Sequence, residues 1–484
     1  MISNDQPETL LALYTLKILL YNILDIVDKE RAMRDPHLGA AGYRERRRRV
    51  LERLETDAVA VVAGGPQDNG LRLFRQTNDF YYLSGVESPQ SYLLLDRRNN
   101  TTALFLPHQT ERERDEAGPI PSVESAGEVI AASGVDEVLG VEKLATRLES
   151  APRIYTPFRE GAGSMTSWDT HAAGRRARYS DPWDGTTDRF AHFIELLRRR
   201  FPGAEICDLV PVLDNLRGVK DAHEIELLRR SGRLSALGIV EAMKSTRPGL
   251  YEYQLAAVLD YVYMNHGARG RAYNAIMACG ANAWHGHYGA NSSVLQDGEL
   301  ILGDCAPDYR YYASDIGRMW PVNGIYTNEQ RQLYGFMVEF HKAYLEEIKP
   351  GLTDEQIRNT VAERMKKVAA ATQWIRPSFE KAARWALDFP HHMSHPVGLA
   401  CHDDGHYRGK PLVPGVVIAL DPQMRVEEER MYIRVEDTVV VTEHGVENLT
   451  SDAPLELDDV EALMREEGMV QRYPAHAFPL LPLC

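Results

Sequence analysis

Apolar residues along the first third of the chain follow two spacings, which predict strands alternating with helices. Continuous apolar runs typical of buried strands occur in DAVAVVAGG, SYLLLD and TALFLP. Helical spacing of apolar positions marks GEVIAASG, VEKLATRLES and the segment AGYRERRRRVLERL. Strands and helices that alternate over this length predict an α/β domain.

The pattern changes in the second half of the chain. Residues 158–188 are polar, rich in glycine and serine and without a period, so we expect a long loop there. Two amphipathic helices follow, in FAHFIELLRRRF and in DAHEIELLRRSGRLSALGIVEAMKS. From about residue 208 onward the strands lengthen and the histidines cluster, which places the expected chemistry in the C-terminal half.

Length and charge narrow the class of protein. A chain of 484 residues is too long for one ordinary core and predicts more than one domain. The net charge of -15 argues against nucleic-acid binding, which needs clustered cations. We interpret the basic run Arg44–Arg49 as the solvated face of a helix, with a nucleic-acid patch as the alternative. The five scattered cysteines lack CxxC spacing, which indicates a reduced, cytoplasmic protein without a disulfide framework.

The N-terminus contains the apolar run LLALYTLKILLYNILDIV, residues 10–27. An acidic segment precedes it, and Lys17, Asn22 and Asp25 interrupt it, unlike a signal peptide or a spanning helix. We therefore interpret it as a helix that docks on another surface, such as a partner subunit. Attachment to a membrane surface is the alternative.

Two acidic residues flank a predicted hairpin in GELILGDCAPDYRYYASDIGR. A turn centred between Tyr309 and Arg310 places Asp304 directly opposite Asp315. Like charges at this separation of about 5 Å repel each other, so a cation is expected between them.

A second hairpin is predicted in VIALDPQMRVEEERMYIRVEDTVVV. A turn centred between Glu428 and Glu429 places Asp421 opposite Glu436, and strand alternation puts Arg434 on the same face as Glu436. An arginine there can hold the outer oxygens of the carboxylates. Four carboxylates balance the charge of two divalent ions, and their oxygen atoms favour Mn, Co or Zn over copper.

Histidines that could complete such a site lie in PHHMSHPVGLACHDDGH, which contains His391, His392, His395, His402 and His406. His285 and His287 form a second cluster 17 residues before Asp304. A single strand aspartate or a histidine cluster has a structural interpretation as well. Both hairpins, the histidines and an arginine on the same strand face as Glu436 occur together, and this combination favours a metal site.

These motifs, together with FRQTNDFYYLSGVESP, LRGVKDAHEIELLRRSG and HGARGRAYNAIMACGANAWHGHY, follow the order and spacing of a known family. The chain resembles the pita-bread metallopeptidases, in the aminopeptidase P and prolidase branch. The resemblance implies an α/β (α+β) protein, with a creatinase-like domain over 37–205 and a pita-bread catalytic domain over 206–455. Residues 1–36 would then be a helical extension and 456–484 a tail.

The resemblance also implies an activity, hydrolysis of the N-terminal Xaa-Pro bond of peptides by a metal-bridging hydroxide. Members carry two divalent ions, commonly manganese, with zinc or cobalt as alternatives, and form homodimers or homotetramers. By position, the metal ligands are Asp304, Asp315, His395, Asp421 and Glu436. His287, His391 and His402 would orient substrate and move protons, Asp421 would also act as general base, and Arg434 would support the carboxylates.

Three departures from the family's motifs bear on specificity. Asp421 stands where a glutamate is usual, Arg425 where a tyrosine lines the proline pocket, and DCAP replaces DAG at Asp304. Two kinds of alternative remain: a prolidase-like dipeptidase or non-peptide amide or phosphoester hydrolase, and a catalytically silent binding protein. Tyr81 is our candidate for an N-terminal residue that reaches into the cleft.

Overall fold

The computed structural model describes residues 38–67, 73–159, 161–163 and 168–474, with the backbone alone for 168–172. The predicted N-terminal helix, the extension 1–36 and the end of the tail from residue 475 lie outside these residues. Within the described part of the chain, no helix combines the length and the apolar character needed to cross a membrane.

The first half of the chain builds a mixed sheet from apolar runs that are buried on both faces. Among the described residues it has six strands in the order β4-β3-β2-β1-β5-β6. The strands are β1 (Ala58–Ala63), β2 (Tyr92–Asp96), β3 (Thr101–Leu106), β4 (Glu137–Gly140), β5 (Arg153–Thr156) and β6 (Glu205–Asp208). The helices are α1 (Gly39–Leu51), α2 (Asn78–Ser84), α3 (Glu111–Ala117), α4 (Ala126–Ser133), α5 (Leu144–Leu148), α6 (Trp168–Ser180) and α7 (Arg189–Arg200). The predicted α/β character is confirmed.

Two predictions for this half were wrong. The stretch 158–188 is not an uninterrupted loop, because α6 lies within it. The basic run of α1 is not a fully solvated face, since Arg46 and Arg47 are buried. Arg47 donates to the carbonyl oxygens of Leu83 and Ser133, at 2.8 and 2.9 Å, so the run anchors α1 to the domain.

The second half builds a larger sheet. Its described strands run β10-β11-β14-β9-β8-β7, and β15 pairs with β14. They are β7 (Ile276–Cys279), β8 (Leu300–Cys305), β9 (Ile316–Pro321), β10 (Met393–Pro396), β11 (Val417–Leu420), β14 (Glu436–Val441) and β15 (Val446–Asn448), and β12 (Gln423–Val426) and β13 (Met431–Arg434) form a separate hairpin. The helices are α8 (Val210–Arg217), α9 (Ala222–Ser245), α10 (Glu252–Asn265), α11 (Asn328–Glu347), α12 (Asp354–Ala371), α13 (Pro377–Asp388), α14 (Leu457–Leu463) and α15 (Met469–Arg472).

Buried ion pairs join the two halves. Asp79 of α2 accepts hydrogen bonds from Arg217 at 2.7 Å and from Arg159 at 2.9 Å. Arg217, which is 1% exposed, also pairs with Asp403 and, at 2.8 Å, with Asp404. These contacts hold the loop that follows Cys401 and His402 against the first domain. The domain limits 37–205 and 206–455 stay a prediction.

Candidate metal centre

The β8–β9 hairpin brings its two aspartates to one face of the sheet, with a register that differs from our prediction. Asp304 pairs with Gly317, so Asp315 lies diagonally across from it instead of directly opposite. The turn is centred one residue later than predicted, because Arg310 and Tyr311 both adopt positive φ, 50° and 74°. Both carboxylates still point to the same side, since partners two residues apart share a face.

The register predicted for the second hairpin agrees with the structure. Gln423 pairs with Arg434, and Leu420 pairs with Asp437, which brackets Asp421 and Glu436 between two pairs of the same register. β14 also pairs with β9, with Glu436 opposite Gly317.

Gly317 explains how the carboxylates fit together. It faces Asp304 on one side and Glu436 on the other. A Cβ at this position would lie 2.9 Å from the Glu436 Cβ and 3.2 Å from the Arg434 Nε. The missing side chain therefore leaves room for the acidic cluster.

Four carboxylates meet in this cluster, and all are buried, namely Asp304, Asp315, Asp421 and Glu436. Arg434 contacts three of them: Asp304, Glu436 Oε2 at 3.0 Å, and Asp421 Oδ1 at 3.5 Å. The predicted arginine thus compensates part of the negative charge of the cluster.

The electrostatics of the cluster show an excess of negative charge. Burial raises the pKa of Glu436 to about 7, although Arg434 opposes the shift. Burial, followed by the charges of Glu436 and Asp315, raises the pKa of Asp421 well above its usual range. Asp421 Oδ1 and Glu436 Oε2 are buried, and Arg434 contacts both of them. Four buried carboxylates beside this arginine fit a site that binds cations.

Three of the four candidate histidines line one cavity with the carboxylates. The His395 Nε2 lies 3.5 Å from Asp315 Oδ2 and 4.0 Å from Glu436 Oε1. Its ring stacks on that of His402, with 3.6 Å between centroids, and the His402 and His287 centroids are 6.4 Å apart. His391 is exposed, with its Nδ1 3.2 Å from Arg408, and it does not line the cavity that contains the other three.

Two residues of the cluster were missed by the sequence analysis. The Tyr273 hydroxyl oxygen lies within hydrogen-bond distance of Asp304 and, at 2.6 Å, of Asp315 Oδ1, so it can donate its proton to either carboxylate. The Cys401 thiol donates to Asp315 Oδ2 at 2.9 Å. Asp315, His395, Cys401 and His402 form one potential ligand group, and Asp304, Asp315 and Glu436 form another. The position of Cys401 beside His402 was the available signal, and no pattern indicated Tyr273.

A cavity of about 700 Å³ gives access to the cluster. Its lining includes Asn274, Gln423, Arg425 and Tyr432, together with the four carboxylates, Arg434, Cys401 and the three histidines named above. Tyr81, our candidate for the cleft, does not line it. That side chain is buried and stacks on Tyr311, with 3.4 Å between ring centroids, so it joins the domains.

Comparison with known proteins places this site in a family. The model of metallopeptidase family M24 matches residues 226–443, and that of the aminopeptidase P N-terminal domain matches residues 43–155. An Xaa-Pro aminopeptidase of Escherichia coli is 29% identical over 448 residues, which cover 87% of this chain and 97% of the relative. Intermediate cleaving peptidase 55 of Arabidopsis thaliana mitochondria is 26% identical and covers 89% of this chain and 86% of its own length.

Solved structures of aminopeptidases P are also similar to this chain. Zinc-substituted E. coli aminopeptidase P in complex with product has a TM-score of 0.72 at 26% identity, and covers 87% of this chain and 97% of its own. Proline aminopeptidase P II from Yersinia pestis has a TM-score of 0.71 at 29% identity, with coverage of 87% and 98%. The matches span both domains and confirm the pita-bread fold. The chain belongs to metallopeptidase family M24, in its aminopeptidase P branch.

Proposed function

We propose that this protein is a metal-dependent aminopeptidase that hydrolyses the bond before proline at the N-terminus of peptides. The observation that carries the proposal is the convergence of four buried carboxylates and His395 in one open cavity. Relatives over most of the chain bear the name Xaa-Pro aminopeptidase, which supports the choice of substrate.

Asp304, Asp315, Asp421, Glu436 and His395 are the proposed ligands of two divalent ions. The burial of four carboxylates beside Arg434 and the raised pKa of Glu436 fit this role, because bound cations would compensate the buried negative charge. When bound, such ions acidify a coordinated water and polarise the substrate carbonyl. Because four of these ligands bind through oxygen, we propose manganese as the native metal, with zinc or cobalt as substitutes.

The other residues would bind substrate and move protons. His287 and His402 line the cavity with ring centroids 6.4 Å apart, close enough to hydrogen-bond the same peptide. Asp421 Oδ1, which lies 3.5 Å from Arg434 Nε, is the atom we expect to accept the proton of the attacking water. Arg434 would keep Asp304 and Glu436 oriented through its contacts with both.

We further propose a cytoplasmic homodimer or homotetramer. The four cysteines within the described residues form no disulfide, which is typical of a reducing compartment. Size-exclusion chromatography with light scattering tests the oligomeric state.

The experiment that tests the function compares three substrates: an Xaa-Pro tripeptide, an Xaa-Pro dipeptide and a proline-free tripeptide. The protein is stripped with a chelator and then assayed with added Mn²⁺, Co²⁺ or Zn²⁺. We expect cleavage of the Xaa-Pro bond only with metal, and a loss of at least about 10²-fold in Asp315→Asn. Equal cleavage of the proline-free peptide would favour another hydrolase, and no cleavage under any condition would favour a silent binding protein.

A further inference from the structure

Arg425 is a second arginine, in addition to Arg434, in a cavity lined by four carboxylates. It lies on β12, two residues after Gln423, and both side chains line the cavity. Its guanidinium lies between two aromatic rings, with 4.8 Å from its Cζ to the ring centroid of Trp284 and 4.8 Å to that of Tyr432. Stacking of this kind fixes an arginine without using its N–H groups.

The guanidinium has no carboxylate partner among the residues that the structure describes. Its single hydrogen bond to a described residue runs from Nη1 to the Trp284 carbonyl oxygen, at 3.4 Å. Arg217, Arg318 and Arg434 in the same domain are all paired with buried aspartates. Since an arginine has five N–H donors, most of those on Arg425 remain available to a molecule in the cavity.

The distance between Arg425 and the acidic cluster indicates which end of a bound peptide would lie near Arg425. Arg425 follows Asp421 by four residues, so their backbone positions lie at most about 13 Å apart. This distance leaves room for about one to three substrate residues, once the length of the arginine side chain is subtracted. A peptide has an ammonium group at one end and a carboxylate at the other, and Arg425 repels the first and attracts the second.

We propose that Arg425 binds a carboxylate of the substrate on the C-terminal side of the scissile bond. The inference rests on the proposed function and defines its substrate class: Xaa-Pro peptides whose leaving portion is anionic. The carboxylate is either the C-terminus of a dipeptide or tripeptide or an acidic side chain close to the proline. Arginine recognises both through paired, charge-assisted hydrogen bonds.

The test measures kcat/KM for two pairs of peptides that differ by one negative charge. The first pair is Xaa-Pro and its C-terminal amide. The second is Xaa-Pro-Asp-amide and Xaa-Pro-Asn-amide. We expect the wild-type protein to prefer one or both anionic members by about ten- to a hundredfold, mainly through KM. The first pair reports the C-terminus and the second a side chain.

Variants assign the preference to this residue. In Arg425→Gln the ratio within each pair should fall to about one, while Arg425→Lys should keep part of it. Arg430→Gln is the matched control, because Arg430 is exposed, lies 5.6 Å from the Trp284 ring and is absent from the cavity lining. A poorly folded variant lowers both rates of a pair and leaves their ratio unchanged.

The possible outcomes are distinct. A wild-type ratio near one in both pairs overturns the inference even if Xaa-Pro bonds are cleaved. A preference that persists in Arg425→Gln overturns it as well. Failure to cleave any Xaa-Pro peptide with Mn²⁺, Co²⁺ or Zn²⁺ would reject the proposed function itself and, with it, this inference.

Discussion

Replacing Arg434 by methionine should destabilise the metal-free protein far more than the metal-bound protein. Arg434 contacts Asp304, Asp421 and Glu436, each of which is at most 6% exposed. Methionine keeps much of the volume of the side chain but removes the positive charge. The three carboxylates would then lie buried without that partner.

The size of the effect follows from the burial. Removing one partner of a buried ion pair costs about 3–5 kcal/mol, because the remaining charge is neither solvated nor paired. For a domain of this size, each kcal/mol lowers the unfolding midpoint by about 2–4 °C. We therefore expect a decrease of about 6–20 °C in the presence of a chelator. Bound Mn²⁺ supplies the missing positive charge, so the decrease should be less than half as large with saturating Mn²⁺.

The assay is thermal unfolding followed by tryptophan fluorescence, since four of the six tryptophans follow residue 206. Arg217→Met is the matched control, because Arg217 is also buried and also pairs with three aspartates. Its loss should be the same with chelator and with Mn²⁺. An equal loss for Arg434→Met in both conditions would show that bound cations do not balance the charge of the acidic cluster.

Three further predictions concern the same domain. Because burial raises the pKa of Glu436 to about 7 and metal binding requires the ionised carboxylate, Mn²⁺ affinity should rise between about pH 5.5 and 8 with release of protons. Calorimetry in two buffers of different ionisation enthalpy measures this, and a pH-independent affinity would contradict it. Asp421→Asn should retain about one ion per chain by mass spectrometry of metals and lose at least about 10²-fold in kcat; two retained ions would exclude Asp421 as a ligand. A Cβ at residue 303 would lie 2.3 Å from the Trp320 ring, so Gly303→Ala should cost about 1–3 kcal/mol of unfolding free energy, and an unchanged midpoint would show that Trp320 moves without cost.

The two hairpins show what a sequence can and cannot predict about register. In the second hairpin, apolar alternation continues on both sides of the turn, and the predicted pairing of Asp421 with Glu436 agrees with the neighbouring pairs. In the first hairpin the turn is formed by Arg310 and Tyr311 at positive φ. Such turns usually contain glycine or asparagine, so no residue signalled the correct centre.

The candidate site likewise contains residues that the sequence predicted and residues that it did not. The carboxylates were predictable because acidic residues are unusual in predicted strands, and the histidines were predictable because they cluster in the sequence. Tyr273 carries no such signal, yet its hydroxyl contacts both aspartates. The buried Arg46 of α1 was misjudged because its partner, Asp221, lies 175 residues away in the sequence. Contacts of that range depend on how the two domains pack.

The most direct test of the metal centre is a crystal structure of the protein soaked in excess Mn²⁺, with anomalous scattering measured near the manganese edge. We predict two anomalous peaks between Asp304, Asp315, His395, Asp421 and Glu436, with Arg434 displaced from at least one carboxylate. A cleft without anomalous density, with Arg434 still bound to Asp304 and Glu436, would contradict the proposal that this acidic cluster is a metal centre.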